Sequence, residues 1–77
     1  MSSTTIALQL TEALETLAAR EGAGGLVSVT IERLAAGDGE TTVRVARKTR
    51  TLLFLSAELR DGANLIATAS SIHKVSK

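Results

Sequence analysis

The chain has 77 residues, nine Lys and Arg against eight Asp and Glu, a single Phe, and no Cys, Pro, Trp or Tyr. That length holds one domain, the missing Cys excludes a disulfide framework and any thiolate metal site, and 44% hydrophobic with 22% charged residues is a folded rather than a disordered composition. Charge is uneven: residues 1–43 hold two basic and six acidic side chains, residues 44–77 seven basic and two acidic, the asymmetry of a protein with an anionic ligand or of one with solvated strand faces.

Ile6, Leu10, Ala13, Leu14 and Leu17 recur at helical spacing and form one apolar stripe. Ser3, Thr4 or Thr5 supplies an N-cap hydroxyl, and Gly22, Gly24 and Gly25 end the helix, which is predicted over about residues 4–20. The period then changes to two. Val27, Val29 and Ile31 alternate with Ser28, Thr30 and Glu32, predicting a half-buried strand over about 26–34. Ala35-Ala36-Gly37-Asp38-Gly39 is turn chemistry.

Val43 and Val45 then alternate with Arg44, Ala46 and Lys48 in a second strand, about 40–50. A third, about 52–60, carries Leu53, Leu55, Ala57 and Leu59 on one face, while Leu52 and Phe54 add apolar groups to the other. A strand apolar on both faces at one end calls for cover on both sides there, which one helix cannot give, so either a second subunit covers Leu52 and Phe54 or they stand exposed. Asp61-Gly62 signals a type I′ hairpin into a last strand, about 64–75, whose Ala67, Thr68, Ala69, Ser70 and Ser71 are small enough for a helix to lie close. The helix is about 25 Å long and the strands about 30–36 Å. The expected fold class is therefore α+β, one helix wrapped lengthwise by a four-stranded antiparallel sheet.

No run approaches the roughly 18 apolar residues of a membrane span, and Met1-Ser2-Ser3-Thr4-Thr5 lacks the basic start of a signal peptide. A soluble, cytoplasmic protein with no membrane partner is expected, and the absence of Cys fits a reducing compartment. His73, the one His, has no second His, no Cys and no nearby carboxylate pair, so no metal is expected. Gly22-Ala23-Gly24-Gly25 follows a helix and precedes a strand, the wrong order for a phosphate loop, and no cofactor motif is present. Ser70-Ser71 lacks a nucleophile elbow. One aromatic residue and a net charge of +1 argue against a nucleic-acid partner.

A helix followed by four long strands, with Arg47-Lys48-Thr49-Arg50 leading into Leu52–Arg60, a charged turn and a strand carrying Ile66-Ala67-Thr68-Ala69-Ser70-Ser71-Ile72-His73-Lys74-Val75, resembles the hot-dog thioesterases. The nearest type is similar to the phenylacetate-pathway enzymes, which act on acyl-CoA thioesters. The resemblance covers nearly the whole chain but only part of the family's domain, which has a further strand and a loop before the helix.

It implies a His-Gly-Gly-like loop whose N–H groups polarise the thioester carbonyl, a carboxylate one or two helical turns later, and a second subunit completing the site. Here the family's acid falls on Thr11 and its loop on Ser2-Ser3-Thr4, which leaves Ser3 and Thr4 at the oxyanion position. Sliding by one residue puts Glu12 in the acid position, roughly 140° from the centre of the apolar stripe. The resemblance also sets Arg47, Lys48 and Arg50 near the nucleotide end of CoA, where Arg pairs with phosphate bidentately and Lys adds a point charge. The expected partners are acyl-CoA or a related thioester and a second copy of the chain. Two functions are implied: a hydrolase for acyl-CoA, or a non-catalytic hot-dog module for oligomerisation or ligand binding.

Overall fold

The computed structural model describes residues 3–37 and 39–75, with side chains from Thr5 onward. One helix, α1 (Ser3–Arg20), precedes four strands: β1 (Ala23–Arg33), β2 (Glu40–Lys48), β3 (Leu52–Asp61) and β4 (Asn64–Val75). The strands form one antiparallel sheet in the order β1-β4-β3-β2, with α1 across one face. We call this the inner face and the opposite one the outer face. The expected fold class holds.

The apolar stripe of α1 is what joins the two layers. Ile6, Leu10, Leu14 and Ala18 are buried against Leu53, Leu55, Ala57 and Leu59 of β3 and Ala67 and Ala69 of β4. A fully buried Leu or Ile contributes about 1.5–3 kcal/mol, so these rows are the main attractive term between helix and sheet. The small side chains of β4 divide by face as period two requires: Ala67, Ala69 and Ser71 are buried under the helix, while Ser70 is exposed.

Ile66 and Ala67 are both buried because a bulge opposite Leu59 and Arg60 places two consecutive β4 residues inward. The Ile66 carbonyl then accepts from the N–H groups of Leu34 and Ala35, at 2.8 and 3.1 Å, fastening the end of β1.

Gly22 alone ends the helix with a positive φ of 80°. Gly24 and Gly25 belong to β1, which starts three residues earlier than the sequence predicts. Gly24 is the extra residue of a bulge, and Gly25 lies where an added Cβ would be 3.6 Å from the Lys74 Cβ. The second hairpin also turns one residue later than predicted. Asp61 pairs with Asn64 across Gly62 and Ala63, and Gly62 takes φ 60° while Ala63 keeps an ordinary negative φ. That is the pattern of a type II′ turn, so a type I′ turn centred on Asp61-Gly62 is not what forms.

The alternation expected of β1 is only partly realised. Ile31 packs against the core, but Val27 and Val29 are 59% and 37% exposed. Val27 is the extra residue of a second bulge, and β1 is an edge strand with no neighbour beyond it.

Candidate functional site

The β2–β3 turn gathers cations at one end of the molecule. β2 and β3 pair regularly from Glu40 to Val45, then Ala46 is bulged and the register moves by one residue. Because side chains alternate with period two, one extra residue exchanges the faces of everything after it. Without the bulge, Arg47 would stand beside Leu53 on the inner face. With it, Arg47 stands beside Phe54 on the outer face, and Lys48 beside buried Leu53. Simple alternation, with Arg44, Ala46 and Lys48 on one face, therefore fails at Lys48.

Turned inward, Lys48 reaches the end of α1. Its Nζ donates to the Glu21 carbonyl at 3.1 Å and lies 3.6 Å from Glu21 Oε1. It thereby satisfies a carbonyl at the negative end of the helix. Arg47 and Arg50, the other two basic residues singled out in the sequence, are exposed, and among the described residues neither makes an ion pair.

Two unselected cations join them. Lys74 is exposed and pairs in register with Leu52, two residues after Arg50, and the Val75 N–H donates to the Thr51 carbonyl at 2.9 Å, holding the end of β4 against the turn. Arg20 occupies the last turn of α1, next to the Glu21 that Lys48 grips. Lys74 is far from Arg47 in sequence, and only the β3–β4 register brings it near.

Glu12 is exposed on α1, with its carbonyl accepting from Thr16 Oγ1 at 2.8 Å; Thr11 is half-buried. Glu12 and the Glu21–Lys48 contact are about 14 Å apart along the helix axis at 1.5 Å per residue. Ser3 and Thr4 begin the helix, but their side chains, like Ser2, lie outside the described residues. The acid and the cations thus occupy different parts of the molecule.

The outer face carries an open depression of about 530 Å³, lined by Thr30, Glu32, Ser56, Thr68 and Ser70 together with the chain at Ile31 and Ala69. None of the residues proposed from the sequence for catalysis, the oxyanion or CoA lines it. His73, by contrast, is buried on the inner face, its Nε2 2.8 Å from Ser71 Oγ. No group of three His, Cys, Asp or Glu among the described residues is placed to hold a metal ion. No described helix is long and apolar enough to cross a membrane.

No family model matches this sequence, and no curated protein does. Solved structures do. A Bacillus halodurans protein crystallised with CoA superposes with a TM-score of 0.81 at 12% identity, covering 96% of this chain and 54% of its own. A thioesterase-type protein from Ralstonia eutropha, described as phenylacetic acid degradation-related, gives 0.77 at 20% identity, covering 97% and 62%. Mouse thioesterase superfamily member 2 gives 0.71 at 23% identity, covering 94% and 59%. The chain spans little more than half the length of these proteins, and at such identities the likeness is one of fold. Its helix and four antiparallel strands have the hot-dog fold of the thioesterase-superfamily proteins it matches.

Proposed function

We propose that this protein binds acyl-CoA or a closely related thioester through the basic end of its sheet. The observation that carries the reading is the gathering of Arg47, Arg50 and Lys74 at one end, without carboxylate partners among the described residues, in a fold that a CoA-bound protein shares. Exposed cations without partners are what a ligand with a pyrophosphate and a 3′-phosphate requires. The absence of Cys fits a reducing compartment such as the cytoplasm.

Hydrolysis is the catalytic form of this proposal. Water attacks the thioester carbonyl carbon, the C–S bond breaks, and a carboxylate takes the water proton and returns it to the departing thiolate. Glu12 is the acid proposed for that task, with the start of α1 around Ser3 and Thr4 donating to the oxyanion. A non-catalytic binding module is the second reading, favoured by the exposure of Glu12 and by Thr11 standing where the resembling enzymes have an acid. Thiol release from short-chain, medium-chain and aromatic acyl-CoAs separates the two. Turnover lost in Glu12→Ala supports the hydrolase, turnover unchanged by it moves the acid elsewhere, and no turnover supports the module.

A homodimer joined through β1 is part of the proposal. Both free edges are bulged and they differ in charge: β2 carries Arg44, Arg47 and Lys48, whereas β1 runs from Gly24 to Ile31 without a charge. Charged edges resist pairing, and uncharged ones invite it. Leu26, Val27 and Val29, all more than a third exposed, would be covered by a second copy.

A further inference from the structure

We propose that the outer face of the sheet is a contact for a second copy of this chain, in which Arg44 of each copy enters the hydroxyl-lined depression of the other and meets Glu32. The contact goes beyond the acyl-CoA reading and does not depend on it, and its surface is distinct from the β1 edge.

The register lays the outer face out in rows that run across the sheet. Leu53 and Leu55 are buried on the inner face, so Leu52, Phe54, Ser56 and Glu58 of β3 point outward. Taken in the order β1, β4, β3, β2, one row is Ser28, Ile72, Phe54 and Arg47. The next is Thr30, Ser70, Ser56 and Arg44, and the one after it Glu32, Thr68, Glu58 and Thr42. Ile72 and Phe54 stand half-buried at the centre of their row, on the face that α1 leaves open. The depression beside them is lined by four hydroxyl side chains and the carboxylate of Glu32. That is a set of acceptors suited to a guanidinium, which has five donors.

Arg44 and Glu32 are both exposed, and among the described residues neither makes an ion pair. They stand on opposite edge strands of the sheet, three strand spacings or about 14 Å apart, so they do not meet within one chain. A two-fold axis along the strands, between β3 and β4, brings them together across two chains. It lays β2 of one copy over β1 of the other and β3 over β4, each row on its like. Phe54 then faces Ile72, Ser56 faces Ser70, and Arg44 faces Thr30 with Glu32 one row on, each contact made twice. Within these three rows no like charges oppose each other. A two-fold across the strands through the Ser56 row instead sets Arg44 on Arg44 and Phe54 on Glu58, which like-charge repulsion and a desolvated carboxylate disfavour.

Facing sheets pack about 10 Å apart, a gap that an Arg side chain spans. Four strands about 4.8 Å apart and four rows about 6.8 Å apart, the fourth being Leu52 with Lys74, cover about 500 Å² on each copy, the low end for a specific contact. The two basic ends lie on the same side of the pair and repel each other, which also keeps it weak. Its axis does not meet the two-fold of a β1 edge pair, so the two contacts together do not close into a ring. With the edge open, mass therefore keeps rising with concentration; with the edge blocked, it stops at two chains.

Sedimentation equilibrium of the edge-blocked chain, Val27→Lys with Val29→Lys, between about 10 µM and about 1 mM tests the contact. A monomer is expected at the low end and a dimer at the high end, with concentration-dependent amide shifts at Phe54, Ser56, Ser70 and Ile72. In that background Arg44→Glu and Glu32→Arg should each weaken pairing at least fivefold. The two together should restore it to within twofold, because the swapped pair re-forms between copies. A monomer at the highest concentration, or shifts confined to α1, overturns the contact. So does a charge swap that pairs no better than either single variant. An edge-blocked chain that keeps the parent's mass at the low end sinks the β1 reading, and the charge swap still decides the face. Should the edge-blocked chain not fold, the same swap in the parent chain, read as growth beyond two chains, decides it.

Discussion

Ser71 Oγ and His73 Nε2 lie 2.8 Å apart between sheet and helix, and each residue is only 2% exposed. The two are neighbours on one face because they are two apart on β4, with Ser71 beside Leu55 and His73 beside Leu53 on β3. In an interior otherwise built of Leu, Ile and Ala, each is the polar partner of the other.

Ser71→Ala should therefore cost about 1–3 kcal/mol, the penalty for leaving a buried ring nitrogen unpaired. Replacing both residues by apolar ones should cost less than the sum of the single changes, because the second substitution removes the orphan that the first created. Urea unfolding of the two single variants and the double variant measures this; strict additivity would mean that the contact contributes nothing.

Gly39 sits where an added Cβ would collide with the backbone carbonyl of Arg60. Since backbone cannot step aside as a flexible side chain does, Gly39→Ala should lower stability by about 1–3 kcal/mol, in the range of overpacking. At Gly22 an added Cβ meets nothing within 4 Å, but φ is 80°. Gly22→Ala should cost about 1–2 kcal/mol from the left-handed backbone alone. Thermal melts of both compare a steric penalty with a conformational one.

Lys48 holds the helix end through a contact that solvent reaches, with side-chain exposures of 44% and 35% for Lys48 and Glu21. Lys48→Met should lower stability by only about 0.5 kcal/mol. Deleting Ala46 is a different matter. It removes the bulge, sets Arg47 beside Leu53 in place of Lys48 and breaks the Thr49–Leu52 pairing that closes the turn, which should lower stability by about 1–3 kcal/mol. A deletion variant as stable as the parent would contradict the register described for β2.

The uncharged edge of β1 predicts the assembly. Val27→Lys with Val29→Lys should convert a dimer into a folded monomer, read as a halved mass in light scattering with unchanged far-UV dichroism. An assembly of unchanged mass would place the interface elsewhere.

The helix stripe and the inward row of β3 are legible in the sequence because each keeps a single unbroken period: Ile6, Leu10 and Leu14 on one side, Leu53, Leu55 and Leu59 on the other, all buried. The illegible part traces to bulges, which leave no mark in composition. Gly24 and Val27 in β1, Ala46 in β2 and Ile66 in β4 each exchange the faces of the residues after them. Unbroken alternation sets Lys48 beside Arg44, and the bulge at Ala46 moves it to the helix side. Lys74 is hidden for another reason: it is isolated in sequence and joins Arg50 only through strand pairing. Phe54 stands out in the sequence as a departure from alternation, but its neighbours Arg47 and Ile72 come from two other strands.

Binding of CoA by the folded protein is the most direct test of the proposed function. Calorimetric titration of CoA should give saturable binding that weakens as salt is raised and falls severalfold in Arg50→Ala. No saturable binding by a folded protein would contradict the acyl-CoA reading, and binding indifferent to both salt and Arg50 would contradict the place assigned to the phosphates.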